Sequence, residues 1–288
     1  MTSFPSLPIE LYLELFSHFS LKALVASRGT CREWRNLVPK ANIPPPRRLL
    51  LDLYLELIED EYFHLTRPWV LENLKEIDRE AYVGALIQQG ANLPEDFRLW
   101  VLEWPAKATI AGIWPGLPDD AVEDGFKGRL LGRNVLGIIP LQLSSIPFVP
   151  TQRCIPAICL WVGCPPNAVW LPLDEESGIY GKVLICDIRG ALHGVQTGDY
   201  GIDVDLPNFV MWLRCKWSGL ANRLRMINEG CLGQGNTSGK PLENKSYDMF
   251  GTFDIPAPPW HLKDTPPYDT LLQQALDDGL DAEGPEWN

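Results

Sequence analysis

The sequence predicts an α+β fold: a short helical unit first, then a mixed α+β domain built on one mainly antiparallel sheet, then a closing helix. Three observations carry this expectation. Through about the first hundred residues, apolar side chains recur at helical spacing, as in Leu11, Leu15 and Phe19 at i, i+4, i+8. After Pro105, Gly, Pro and β-branched residues take over, and the apolar runs become short and bounded by turn residues. From Pro207 the helical spacing returns. Helices, then strands, then a helix is the order of an α+β domain and not of an alternating βαβ chain.

The elements follow in order. Pro8 sits at the first turn of a first helix, where its missing N–H costs nothing. Ser20 is a suitable N-cap for a second helix from Leu21. Gly29 marks a break before or within a third turn carrying Cys31 and Trp34. In IPPPRR, residues 43–48, three prolines are expected to end any helix and stiffen the chain into extended form, which sets a first boundary. Residues 49–63 (LLLDLYLELIEDEYF) read as an amphipathic helix. Leu50, Leu53, Leu57 and Glu61 share one face, and Asp52, Glu56, Glu59 and Asp60 lie elsewhere. A further helix runs from Pro68 to about Gln89, stopped by Gly90. Pro94 starts another, with Glu95 and Asp96 complementing its positive end.

Beyond Pro105, IAGIWPGLP and NVLGIIPLQL are broken apolar runs, whereas AICLWV (157–162), AVWLPLD (168–174) and GKVLICDIRG (181–190) read as strands. One more strand is expected around 201–206. The helix opened by Pro207 places Phe209, Leu213, Trp217 and Leu220 on one apolar face. From 229 the chain is rich in Gly, Pro and Asn, and after Asp264 it carries six acidic residues and no basic one. LLQQALDDGL (271–280) is a candidate short helix, and the rest is expected to be mobile. The predicted organisation is therefore a helical unit over 1–42, a linker and amphipathic helix over 43–66, the α+β domain over 67–228 and an acidic, loop-rich, partly disordered tail over 229–288.

The net charge of −12 argues against a general nucleic-acid binder. It is unevenly spread: residues 20–48 hold Lys22, Arg28, Arg32, Arg35, Lys40, Arg47 and Arg48 against Glu33 alone, a net +6, which leaves −18 for the remainder. Either this segment faces a different partner, or a helix face is simply solvated. No apolar run is long enough for a transmembrane helix, and MTSFPSLPIE lacks the basic start and apolar stretch of a signal peptide. The expected compartment is cytoplasm or nucleus, with no membrane partner. The seven scattered cysteines then read as free, mostly buried thiols. In that setting the glycosylation patterns at Asn236 and Asn244 mean little.

Enzyme signatures are absent from the motifs. His18, His64, His193 and His261 are far apart, and none stands in HExxH or beside paired cysteines. Cys154, Cys159 and Cys164 are spaced wrongly for a zinc knuckle. GQGNTSGK (233–240) fails as a phosphate loop, because Pro241 follows Lys240 where Ser or Thr is needed. GDYGIDVDLP could align carboxylates at i, i+2 on one strand face. His193, Asp199, Asp203 and Asp205 therefore form a candidate ligand cluster, with a solvated strand edge as the plain alternative. Asp119-Asp120 is a second acidic pair. Most of the eleven Trp sit in apolar runs; Trp69, Trp100, Trp104, Trp161, Trp170 and Trp212 are expected core anchors. No catalytic residue, metal ligand or cofactor is assigned.

The strongest signal is at the start. Three short helices in about 40 residues bury too little apolar surface to offset their ordering entropy. Yet residues 7–37 carry large apolar side chains on more than one side, so the following domain or a partner protein must cover them. Leu7-Pro8-x-Glu10-Leu11, then Leu15, Phe19, Leu24 and Cys31-Arg32-x-Trp34-Arg35-x-Leu37 resemble the F-box, with every spacing matched. Ala23 departs from the usual acidic residue and Thr30 from the usual Val. The resemblance implies a three-helix F-box that docks on a Skp-type linker protein, itself tethered to a cullin, in an SCF ubiquitin ligase. Leu7, Pro8, Leu11, Leu15, Phe19, Leu24, Cys31 and Trp34 would bind the linker or brace the box.

Residues 67–228 loosely resemble the SUKH superfamily, often met behind F-boxes in fungal proteins. Leu93-Pro94-Glu95-Asp96-Phe97-Arg98, Ile146-Pro147-Phe148-Val149-Pro150, Gly181-Lys182-Val183 and Phe209-Val210-Met211-Trp212-Leu213 carry the likeness. The family's Asn-Gly step after the early helix is missing here. Such domains act mainly as protein-binding modules, which implies an adaptor that recruits a protein substrate and catalyses nothing. Two other readings stay open: a small-ligand or metal-dependent enzyme domain in 105–220 carrying an F-box for its own turnover, and an F-box protein acting outside a ligase.

Overall fold

The computed structural model describes residues 7–118, 132–148, 153–163, 167–187 and 202–228. The fold is α+β. Among the described residues, eight α-helices come first: α1 Ile9–Ser17, α2 Leu21–Thr30, α3 Arg32–Leu37, α4 Pro45–Ile58, α5 Glu61–Leu65, α6 Arg67–Asn73, α7 Arg79–Gln88 and α8 Glu95–Glu103. The strands follow: β1 Gly132–Asn134, β2 Ser144–Phe148, β3 Arg153–Gly163, β4 Asn167–Pro172, β5 Val183–Asp187 and β6 Ile202–Leu206. Helix α9, Phe209–Asn228, is the last element among the described residues.

The six strands form one antiparallel sheet in the order β1-β3-β4-β5-β6, with β2 also paired to β3. β3 is the organiser: Ser144–Phe148 pairs with its first half and Gly132–Asn134 with its second. Period-two alternation sorts the strand residues between two faces. Ile158 and Leu160 of β3, Val169 and Leu171 of β4, and Val183 and Ile185 of β5 belong to the main core with the helices. Ile155, Ala157 and Leu184 face the other way, into a small cluster with Ile146 and Ile179. α9 packs its predicted face, Phe209, Leu213, Trp217 and Leu220, into the main core.

Several expectations need correction. The prolines at 44–46 do not keep the chain extended. Pro45 and Pro46 occupy the first turn of α4, where no N–H is missed, and only the residues before them are extended. The single helix expected over Pro68–Gln89 is two, α6 and α7, with Asp78 capping the second by accepting from Ala81 N–H. Likewise the run 49–63 is split between α4 and α5, with Asp60 as N-cap. Gly29 does not break a helix; α2 continues to Thr30 and ends at Cys31. β1 and β2 flank the run NVLGIIPLQL (134–143), where no strand was expected. Of the four cysteines whose side chains are described, only Cys159 is buried; Cys31 and Cys154 are exposed and Cys215 is half-buried.

One core runs through the helical unit and the domain behind it. Phe16, Leu21 and Leu24 lie in the same cluster as Leu50, Trp100, Leu160 and Trp212. Its centre is aromatic: Trp100 contacts Trp114 at 4.8 Å and Phe209 at 4.9 Å between ring centroids. Trp104 and Trp161 are buried, while Trp69 and Trp170 are half-buried against core residues.

Candidate partner-binding site

Helix α1 has two unlike faces. Tyr12 and Phe16 point inward, where the Trp34 ring of α3 meets Tyr12 at a tilt and Phe16 edge-on, at 5.7 and 5.3 Å between centroids. Phe19 closes the same group, 5.6 Å from Phe16. The other face carries Leu11 and Leu15, one turn apart, continued upstream by Leu7. These leucines are 53, 41 and 45 % exposed, and Ile9 beside them is 52 % exposed. Three large aliphatic side chains in water on a helix of nine residues, with Leu7 just before it, make an uncovered apolar ridge.

The eight predicted contact residues therefore divide. Leu7, Pro8, Leu11, Leu15 and Cys31 are at the surface. Phe19 and Trp34 are half-buried in the aromatic stack. Leu24 has no exposed surface; it braces the unit from within. Cys31 has a local structural part. Its extended backbone ends α2, and its Sγ accepts from Trp34 N–H at 3.5 Å to cap α3. Ser20 caps α2 as expected, accepting from Ala23 N–H at 3.3 Å. Ile9 was missed, having no periodic signal to mark it out.

What holds the ridge in place lies far away in sequence. Glu103, the last residue of α8, accepts from Leu21 N–H at 2.6 Å, satisfying a free donor at the start of α2. The same carboxylate takes a bidentate pair from Arg47 of α4, at 2.9 and 2.8 Å. Both side chains are more than four-fifths buried. One carboxylate thus ties α2, α4 and α8 together. The hydrogen bond to Glu103 raises the Arg47 pKa against the opposing effect of burial. Neither residue stood out in the sequence.

This latch also changes the meaning of the basic segment. Arg47 is spent on Glu103, and Arg48 donates to Ala41 O at 2.7 Å. Arg32, Arg35 and Lys40 remain exposed, and Arg28 is half-buried. Arg35 Nε donates to Arg28 O, and burial followed by the Arg35 charge lowers the Arg28 pKa. The positive surface therefore lies on α2, α3 and the turn after them, beside the ridge-bearing α1.

The acidic candidate cluster cannot be assembled from the described residues. His193 and Asp199 lie outside them, as do Asp119-Asp120, Cys164, Cys231, the segment GQGNTSGK, Asn236, Asn244 and everything from 229 onward. Asp203 and Asp205 are on β6, where Asp205 pairs with Leu184, but their side chains are not described. Among the described residues, no group of three or more His, Cys, Asp or Glu could hold a metal ion, and no helix is long and apolar enough to cross a membrane.

Comparison with known proteins gives one match. The family model for the F-box domain covers residues 4–44, which is the stretch that bears the ridge, the aromatic stack and the exposed basic residues. No curated protein and no solved structure matches the chain. Residues 4–44 thus match the F-box domain family, and this helical segment is joined through one core to the α+β region behind it.

Proposed function

We propose that this chain is a substrate-receptor subunit of an SCF-type cullin ubiquitin ligase. Its F-box binds a Skp-type linker protein, the linker joins it to the cullin, and the domain behind the box recruits a target protein. The carrying observation is the exposed Leu7, Leu11 and Leu15 ridge on an F-box whose other face is packed into the rest of the chain. A partner helix or groove covering that ridge gains about 0.7–1.5 kcal/mol for each of these half-exposed leucines. The exposed Arg32, Arg35 and Lys40 favour an acidic rim on that partner.

In this reading the chain is non-catalytic, and ubiquitin transfer occurs on other subunits. Its task is geometric: the Glu103 latch and the shared core fix the recruiting domain relative to the linker. The likeness of 67–228 to SUKH-type protein-binding domains supports the recruiting role. The test is co-purification of tagged full-length chain with the Skp-type linker and cullin. Leu11→Asp is expected to lose both while the protein stays folded. Retention of both by Leu11→Asp would remove the proposal, and linker without cullin would leave an F-box protein acting outside a ligase.

A further inference from the structure

The ridge on α1 asks two things of whatever covers it: apolar side chains for Leu7, Leu11 and Leu15, and negative charge for the basic surface beside them. On that surface Arg32, Arg35 and Lys40 are exposed and form no ion pair with a described residue, and Glu33 is the one acid among them. Arg28 and Arg35 repel each other: after burial, it is the Arg35 charge that lowers the Arg28 pKa. On α1 itself Glu10 and Glu14 border the ridge, with Glu14 facing His18 at 3.1 Å. An acidic occupant is therefore drawn to the α3 side.

One segment of this chain carries both features. Residues 265–288, outside the described residues, hold six acidic residues and no basic one. Leu272, Leu276 and Leu280 recur there at i, i+4, i+8, the spacing of Leu7, Leu11 and Leu15. Gln273, Gln274, Asp277 and Asp278 stand between them, so the pattern is that of an acidic amphipathic helix, the kind of element that lays an apolar face on an apolar partner. Reach is no obstacle. Between Asn228, the end of α9, and Thr265 stand 36 residues. At full extension they span about 120 Å, and a folded body of this size is about 40 Å across. Tethering also lowers the affinity required. At an effective concentration of about 1 mM, a contact that separate pieces would make with a dissociation constant of about 0.2 mM weakens a competitor about sixfold.

We propose that residues 265–288 fold back over the Leu7, Leu11 and Leu15 ridge and the Arg32, Arg35 and Lys40 surface of the same chain, and hold the linker off until it competes them away. The tail is then an internal stand-in for the linker, offering leucines to the ridge and carboxylates to the arginines. The regulatory half of the proposal rests on the substrate-receptor reading; the contact itself does not.

The experiment uses three full-length proteins. They are the wild type, a neutral-tail variant with Asp269→Asn, Asp277→Asn, Asp278→Asn, Asp281→Asn, Glu283→Gln and Glu286→Gln, and Leu272→Ser with Leu276→Ser. Titration calorimetry against the Skp-type linker is expected to show about threefold to tenfold tighter binding by the neutral-tail variant at about 0.05 M salt, a gap that shrinks to under about twofold at about 0.5 M. The leucine variant keeps the tail's charge, so plain repulsion between tail and linker is unchanged in it. Its linker binding is expected to tighten by about twofold to fivefold. A second measurement needs no linker: the rate at which phenylglyoxal modifies Arg32 and Arg35, read by mass spectrometry, is expected to rise at least about twofold in both variants. Linker affinity that is equal in the wild type and either variant, or equal arginine reactivity, overturns the proposal. So does arginine protection that grows with protein concentration between about 1 and 100 µM, which would place the tail on a second copy. Arginine protection in the wild type with no linker binding by any of the three removes the receptor reading and leaves the tail contact standing. Linker binding with identical affinities and reactivities does the reverse.

Discussion

Glu103→Ala should be the most damaging single change at the junction between the F-box and the domain behind it. The substitution removes three hydrogen bonds to one carboxylate: one from Leu21 N–H and two from Arg47. It leaves the Arg47 guanidinium, 18 % exposed, without its counter-charge, and opens a donor at the start of α2. Breaking a fully buried pair from one side costs about 3–5 kcal/mol. Residual solvent access lowers this, so the expected cost is about 2–4 kcal/mol, or a melting temperature lower by roughly 5–12 °C for an ordered body of this size. Thermal and urea unfolding would measure it. A double-mutant cycle with Arg47→Met is the sharper assay. If the pair acts as a unit, the double variant recovers part of the loss, with a coupling of about 1–3 kcal/mol. A cost under about 1 kcal/mol, or strict additivity, would refute the latch.

Other outcomes follow from the same geometry. Leu24→Ala should cost about 2–5 kcal/mol in unfolding free energy and leave linker affinity of the folded protein within about twofold, since Leu24 has no exposed surface. Leu15→Ala should do the reverse, moving the melting temperature little and weakening the linker complex. Linker affinity should fall as salt rises from 0.05 to about 0.5 M, less steeply after Arg32→Ala or Arg35→Ala, as titration calorimetry at several ionic strengths would show. Asp96→Asn should destabilise by about 1–3 kcal/mol, because the amide cannot accept from both Phe97 and Phe209 N–H. Burial raises the Asp96 pKa above its unfolded value even though those N–H groups oppose the shift. The folded state therefore takes up a proton first as pH falls, and the wild type gains relative to the variant. The cost of Asp96→Asn should accordingly grow from pH 7 towards pH 4; a cost that shrinks contradicts the assignment.

The F-box was legible because its signals are local. A few apolar anchors at fixed spacing specify three short helices, and Ser20 and Pro8 mark their starts. The final helix and β3, β4 and β5 were legible for the same reason: periodic or continuous apolar runs bounded by turn residues. β1 and β2 were not. Three residues give no period, and Pro147 lies within β2, so pairing with the long β3 makes these strands. The prolines at 44–46 show how one residue type reads two ways, since a helix breaker inside a helix is a helix starter at its first turn. Long-range polar contacts left no trace at all. Glu103 reads as an ordinary exposed residue near the end of a helix, and its partners are 82 and 56 positions away. Asp96 reads as a charge favouring its own helix N-terminus, yet it also caps α9.

The most direct test of the account is the affinity of the purified full-length chain for a Skp-type linker protein, by titration calorimetry, for the wild type and for Leu11→Asp with Leu15→Asp. Each leucine is about half exposed, so covering the rest is worth about 0.7–1.5 kcal/mol apiece, and an aspartate in its place adds a buried uncompensated charge; together these predict one-to-one binding that weakens by more than about a hundredfold in the double variant, at an unchanged melting temperature. Equal affinity for the two proteins, or no binding by the wild type, would contradict it.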